Sequence, residues 1–270
     1  MAVRGLDRFL GFFEGWASSF AVIGGCACSQ WFSEEAVRFR STQDIDMVLL
    51  LKAKAPDFFK RFWEFVRNGK YELRKRPDDD STILFRFEKP GAEGDFPKRI
   101  ELLTGIPDLT IPEDVRIVHL NPDEETYSLS AILLHEDYYR LVMNGGTTTR
   151  SGMPTVRPDV LALLKVKAHL NLLDEKNGGR FIAEHDAAKH RNDVFQLAYI
   201  FRGGYEGELT DGIKADLMRF LNMYGDDNPE WNNIQHHLRA FGMEERPPAE
   251  LVQVLREHYG VEKNDYETAQ

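Results

Sequence analysis

Apolar residues recur at three- and four-residue spacing through Leu6, Phe9, Leu10, Phe13, Ala17 and Phe20, which predicts a first helix. The run "FAVIGG" then reads as a short strand ending at a glycine pair, and "CACSQWFSEE" as a helix that begins at that pair. In "DIDMVLLL" two acids one residue apart lead into a continuous apolar run, the pattern of a buried strand. "PDFFKRFWEFVRNG" has a helical stripe of aromatics, with Pro56 near its start and Gly69 at its stop. Its Phe58, Phe59, Phe62, Trp63 and Val66 read as core. "TILFRFEK" and "PKRIELLTG" are two further strands joined by a Pro/Gly loop, and "VRIVHL" is a weaker one. Residues 130–146 return to helical spacing and close on two glycines.

Beyond this point the pattern changes. "TTTRSGMPTVRP" is rich in turn formers, and the remaining chain is predominantly helical: residues 158–174, 185–202, 212–224 and 248–259. "YGDDNPEWNN" and "ERPPAE" read as loops, and "EKNDYETAQ" as a frayed tail. The expectation is an α/β domain over residues 1–150, a mixed sheet flanked by helices, followed by a C-terminal helical domain over 151–270.

Composition narrows the function classes. The 270 residues are 42% hydrophobic and 29% charged, ordinary for a globular chain. No apolar run approaches the roughly 20 residues that span a bilayer, and the N-terminus lacks a signal-peptide pattern, so no membrane partner is expected. Cys26 and Cys28, the two cysteines, lie too close together for a disulfide framework, which favours a reducing cytoplasm. A net charge of −10 makes non-specific binding to long nucleic acid unfavourable, because phosphate neutralisation supplies most of that affinity. It leaves room for a nucleotide or a single RNA end in a local basic pocket.

Alternate residues of a strand share a face, so Asp44 and Asp46 point the same way. Two carboxylates that close repel, and a divalent cation removes the penalty; hard oxygen ligands suit Mg²⁺. Glu101 lies in the apolar segment "KRIELLTG" and offers a third acid on a neighbouring strand. Three such acids can hold two ions. Gly24 and Gly25, between a strand and a helix, let backbone N–H groups approach a phosphate. An Asp-x-Asp alone is more often a solvated turn or cap; the glycine pair, the apolar strand and the third acid together favour the metal reading.

This combination carries a resemblance. "VIGGCACSQWFSEEAVRFRSTQDIDMVLLL" resembles the signature of the nucleotidyltransferase superfamily: a glycine pair opening a helix, then Arg-x-Thr-x-Asp-hydrophobic-Asp. Within it the chain looks similar to the AbiEii/AbiGii toxin-like nucleotidyltransferases, with antibiotic nucleotidyltransferases as relatives. The resemblance implies an α/β nucleotidyltransferase fold and Mg²⁺-dependent transfer of a nucleoside monophosphate from an NTP, with pyrophosphate leaving. By match, Gly24 and Gly25 would hold the triphosphate, Asp44 and Asp46 the metals, Glu101 the third acid's place, and Arg40 and Thr42 would brace the loop. The gap from Gly25 to Asp44 is longer than in the most compact members, and Glu replaces the Asp common at the third position.

"PDVLALLKVKAHLNLLDE" and "AAKHRNDVFQLAYI" also resemble that family's helical part. Carried across, Lys165 or Lys167 is the first-helix lysine, and Lys189 and Asp193 belong to the second helix. Two positions apart on a helix, Lys165 and Lys167 face nearly opposite directions, so at most one reaches a cleft. Lys165, three residues before Ala168, fits the family spacing better. Asp193 could accept from a lysine or bind the base or ribose, unless it merely favours the dipole of a helix starting near Asn192. His190 and Arg191 add positive charge beside it, with a solvated face the simpler expectation for His190. His236 and His237 lack a partner acid at metal spacing, and "RKRPDDD" reads as a solvated loop. The acceptor stays open between an RNA end, a protein hydroxyl and a small molecule; a toxin role would add an antitoxin-like protein partner. A binding module without turnover is the reading from another class.

Overall fold

The computed structural model of the chain describes residues 3–50, 56–75, 84–88, 90–103, 117–119 and 135–262. The strands are β1 (Phe20–Ile23), β2 (Asp44–Leu49), β3 (Glu72–Lys75), β4 (Leu84–Glu88), β5 (Arg99–Leu103), β6 (Ile117–His119), β7 (Gly146–Thr148) and β8 (Pro154–Val156). They form one mixed sheet in the order β6-β3-β4-β5-β2-β1-β8-β7. β2 runs parallel to β5 and antiparallel to β1, while β4 is antiparallel to both β3 and β5.

The period of two along the strands gives this sheet two unlike faces. Phe20, Ile45, Met47, Leu49, Phe85, Phe87, Ile100 and Leu102 share one face by register, and all are buried. Against it pack α1 (Leu6–Phe12) and α3 (Pro56–Gly69), whose Phe9, Phe58, Phe62 and Phe65 interlock with Phe20 and Phe87 through edge and tilted ring contacts. The opposite face carries Asp44, Asp46, Arg99, Glu101, Arg86 and Glu88 at one end. α2 (Gly24–Glu34) packs on β1 and β2 and joins the sheet to the later helices.

Those helices are α4 (Glu136–Asn144), α5 (Pro158–Asn177), α6 (Glu184–Leu197, continued by a 3₁₀ turn to Ile200), α7 (Asp211–Met223), α8 (Trp231–Ala240) and α9 (Pro248–Tyr259). α5 is buried nearly all round because α2, α4, α6 and α7 all pack on it. α6 contributes Phe195, whose ring meets Phe220, Tyr224 and Trp231. One continuous cluster of buried apolar side chains runs from Val3 to Val261.

Several elements differ from the sequence expectation. The first helix stops at Phe12, since Gly15 sits at φ +84 and the chain turns into β1. The glycine pair belongs to α2 itself, which opens at Gly24. The turn-rich segment after residue 145 is a hairpin, β7 and β8, whose second strand pairs in parallel with β1 at Val22 and Thr155. The boundary expected near residue 150 falls in the turn of that hairpin. α8 begins inside the segment expected as a loop, at Trp231, and runs on through residues for which the pattern predicts no element, and β3 takes in Arg74 and Lys75, whose pattern reads as a charged loop. The remainder of that loop, the start of the helix expected at 130 and the tail beyond Glu262 lie outside the described residues.

Candidate active site

Register places the acids side by side. Asp46 on β2 is directly opposite Glu101 on β5, and Asp44 is opposite Arg99. Across the next seam Glu101 faces Arg86 and Arg99 faces Glu88 on β4. The result is a two-row block of six charged side chains on one face of the sheet.

The contacts within the block are specific. Arg86 Nη2 donates to Glu101 at 2.7 Å, with both side chains about nine-tenths buried. Arg99 Nε donates to Glu88 at 2.7 Å, and its Nη1 reaches Asp44 at 3.2 Å where both side chains remain about one-third exposed. Asp46 has no ion-pair partner among the described residues. Burial, reinforced by the charges of Glu101 and Asp44, pushes its carboxyl up to about 8.

The glycine pair fits tightly against this block. Gly24 lies at φ +68, and a Cβ there would sit 2.0 Å from Asp46 Oδ2. A Cβ on Gly25 would come within 2.8 Å of Thr42 Oγ1. Only glycine therefore lets the N-terminal turn of α2, with its unpaired backbone N–H groups, close onto Asp46 and Thr42.

A second cluster adjoins the first. Arg40 grips Asp193 bidentately, Nε at 2.9 Å and Nη2 at 2.8 Å, and Lys165 Nζ binds the same carboxylate at 2.8 Å. Lys165 and Asp193 are essentially inaccessible. Burial alone would raise the Asp193 carboxyl; Lys165 and Arg40 outweigh it and hold the group well below the usual carboxylate range. Lys165 also favours the ionised form of Asp46, so the two clusters share one field. Asp193 sits in the middle of α6, not at a helix start, so the dipole explanation does not apply.

The structure thus brings together Gly24, Gly25, Arg40, Thr42, Asp44, Asp46, Glu101, Lys165 and Asp193. Lys167 and Lys189 fall elsewhere. Lys167 projects from α5 toward α7, where Nζ meets Asp216 at 2.8 Å, and Lys189 pairs with Asp186 at 2.8 Å on its own helix. Sequence reasoning missed Arg86 and Arg99; only the register of β4, β5 and β2 shows that they face the acids. His190 also departs from the solvated position expected of it. It is buried, neither ring nitrogen has a hydrogen-bond partner among the described residues, and burial, with Lys165 adding to it, keeps the ring neutral. Cys26 and Cys28 are buried in α2, and burial raises both thiols, Cys28 to about 12, as befits packing residues.

The donor set suits a hard divalent cation: carboxylate oxygens, with Asp46 packed close against Gly24. Among the described residues no group of three or more His, Cys, Asp or Glu is placed to hold a metal as it stands. Asp44 would first have to turn from its exposed contact with Arg99. A separate cavity of about 260 Å³, lined by Trp31, Glu35, Asp159 and Phe201, opens near the far end of α2 from Gly24 and plays no part in this arrangement. No protein-family model and no curated protein sequence matches the chain. Among the described residues no helix is long and apolar enough to cross a membrane.

Proposed function

We propose that the chain is a nucleotidyltransferase that transfers a nucleoside monophosphate from an NTP to a hydroxyl acceptor. The observation that carries the reading is the packing of Gly24 against Asp46, which joins a helix start suited to an anion to two carboxylates on one strand, Asp46 buried and Asp44 partly exposed. Asp44 and Asp46 would hold Mg²⁺, with Glu101 beside them. Bound there, the ion would neutralise the carboxylates and the triphosphate oxygens and so favour charge development in transfer.

The chain's own groups do the rest. The backbone N–H groups at Gly24 and Gly25 bind phosphate oxygens. Lys165, buried and held by Asp193, contributes positive potential to the site from the helical side without direct contact. Thr42 packs close against Gly25. The acceptor hydroxyl attacks the α-phosphorus in line; the new O–P bond forms as the bond to the bridging oxygen breaks, pyrophosphate departs, and the hydroxyl proton passes to solvent. Positioning and electrostatic stabilisation supply most of the acceleration in such chemistry.

An RNA end or a protein hydroxyl is the acceptor class in a toxin-type role, in which an antitoxin-like protein would be the partner. Incubation with each α-labelled NTP, Mg²⁺ and separate pools of tRNA, protein and small hydroxyl compounds tests the reading and sorts the acceptor. Label should transfer to one pool and vanish in Asp46→Asn. Absence of transfer to every pool, together with no Mg²⁺-dependent NTP binding by calorimetry, would overturn it.

A further inference from the structure

Two arginines, Arg86 and Arg99, face the acids of β2 and β5 on the charged side of the sheet. The two arginines are not equivalent. Arg86 and Glu101 stand directly opposite on antiparallel strands, 2.7 Å apart and about nine-tenths buried. Arg86 also lies 3.8 Å from Glu88. Arg99 is held more closely by Glu88 than by Asp44, and its contact with Asp44 is the exposed one.

Breaking a desolvated pair strands an uncompensated charge, whereas an exposed contact yields at little cost. We infer that Arg86 is the resident counter-ion of Glu101, so that the protein without nucleotide binds one divalent cation, on Asp44 and Asp46. Glu101 then acts as a positioned carboxylate next to Asp46 and not as a ligand. A second cation enters only with the triphosphate that carries it. This deepens the nucleotidyltransferase reading and rests on it.

The test uses Mn²⁺ as probe, the full chain and no nucleotide, with bound metal followed by calorimetry and by loss of the free-ion paramagnetic resonance signal. Wild type should saturate at one Mn²⁺ per chain. Glu101→Gln should keep that stoichiometry with affinity within about threefold. Arg86→Met, which releases a hard oxygen donor beside Asp46, should tighten binding about tenfold or add a second ion. The double variant Arg86→Met/Glu101→Gln removes both partners and covers the case in which either single variant fails to fold; it should bind as wild type does. Two Mn²⁺ on the wild type, or a tenfold loss in folded Glu101→Gln or in the double variant, would overturn the inference while leaving the transferase reading intact. No Mn²⁺ binding by the wild type, or unchanged binding in Asp46→Asn, would also overturn the inference; the transferase reading falls only if labelled NTP is transferred to no pool and Mg²⁺-dependent NTP binding is absent.

Discussion

At the scale of single residues, Gly24 and Asp46 constrain each other. Alanine at 24 would put a methyl 2.0 Å from a carboxylate oxygen at a φ of +68. Gly24→Ala is expected to destabilise the fold by about 1–3 kcal/mol, read in urea denaturation, and to weaken Mg²⁺-dependent NTP binding. Asp46 makes a separate prediction. Its folded carboxyl lies near 8, far above the 3.8 of the unfolded chain. Between those values the folded state holds the extra proton, so the Asp46 contribution to stability falls as pH rises from about 4 to about 8 and is level beyond. In chelator, Asp46→Asn should flatten that part of the stability curve and be more stable than wild type at pH 8. Wild type more stable than the variant at pH 8 in chelator would refute the repulsion. The Lys165–Asp193–Arg40 cluster behaves in the opposite sense. Removing Lys165 leaves Asp193 buried with less compensation, so Lys165→Met should cost about 3–5 kcal/mol, measured by the same denaturation.

At the scale of elements, Phe195 on α6 is fully buried against rings from α7 and α8. Phe195→Ala should cost about 3–5 kcal/mol, lowering the urea midpoint; a loss under about 1 kcal/mol would show that α8 is not docked. The elements also show where sequence reading ends. β2, β5 and α3 are legible because their apolar period is local and uninterrupted. α8 is not: Asn232, Asn233, His236 and His237 are weak helix formers, and only the spacing of Trp231, Ile234 and Leu238 signals a buried stripe. The β7–β8 hairpin is hidden by its turn formers and by a parallel partner, β1, far away in the chain. Asp44, Asp46 and the glycine pair stand out as a motif. Arg86 and Arg99 do not, because a cross-strand partner is defined by register, which no local pattern contains.

At the scale of the whole molecule, the apolar cluster crosses from the sheet to the last helix without a break. Unfolding should therefore be one cooperative event. Far-UV circular dichroism and the fluorescence of Trp231, isolated by replacing the three other tryptophans, should trace coincident urea curves; separate midpoints would mean two independent units. Residues 37–43, between α2 and β2, belong to no helix or strand, yet they are fastened at several points. Gln196 donates to the Arg38 carbonyl at 3.0 Å, Arg38 donates to the Ala240 carbonyl at 3.1 Å, Phe39 stacks on Phe32, and Arg40 is locked onto Asp193. Trypsin needs both an accessible basic side chain and a backbone it can draw out into its own cleft. Here the Arg40 guanidinium is already engaged and the backbone is pinned, so the peptide bond after Arg40 should survive brief digestion of the native protein, despite lying in an irregular stretch between two regular elements.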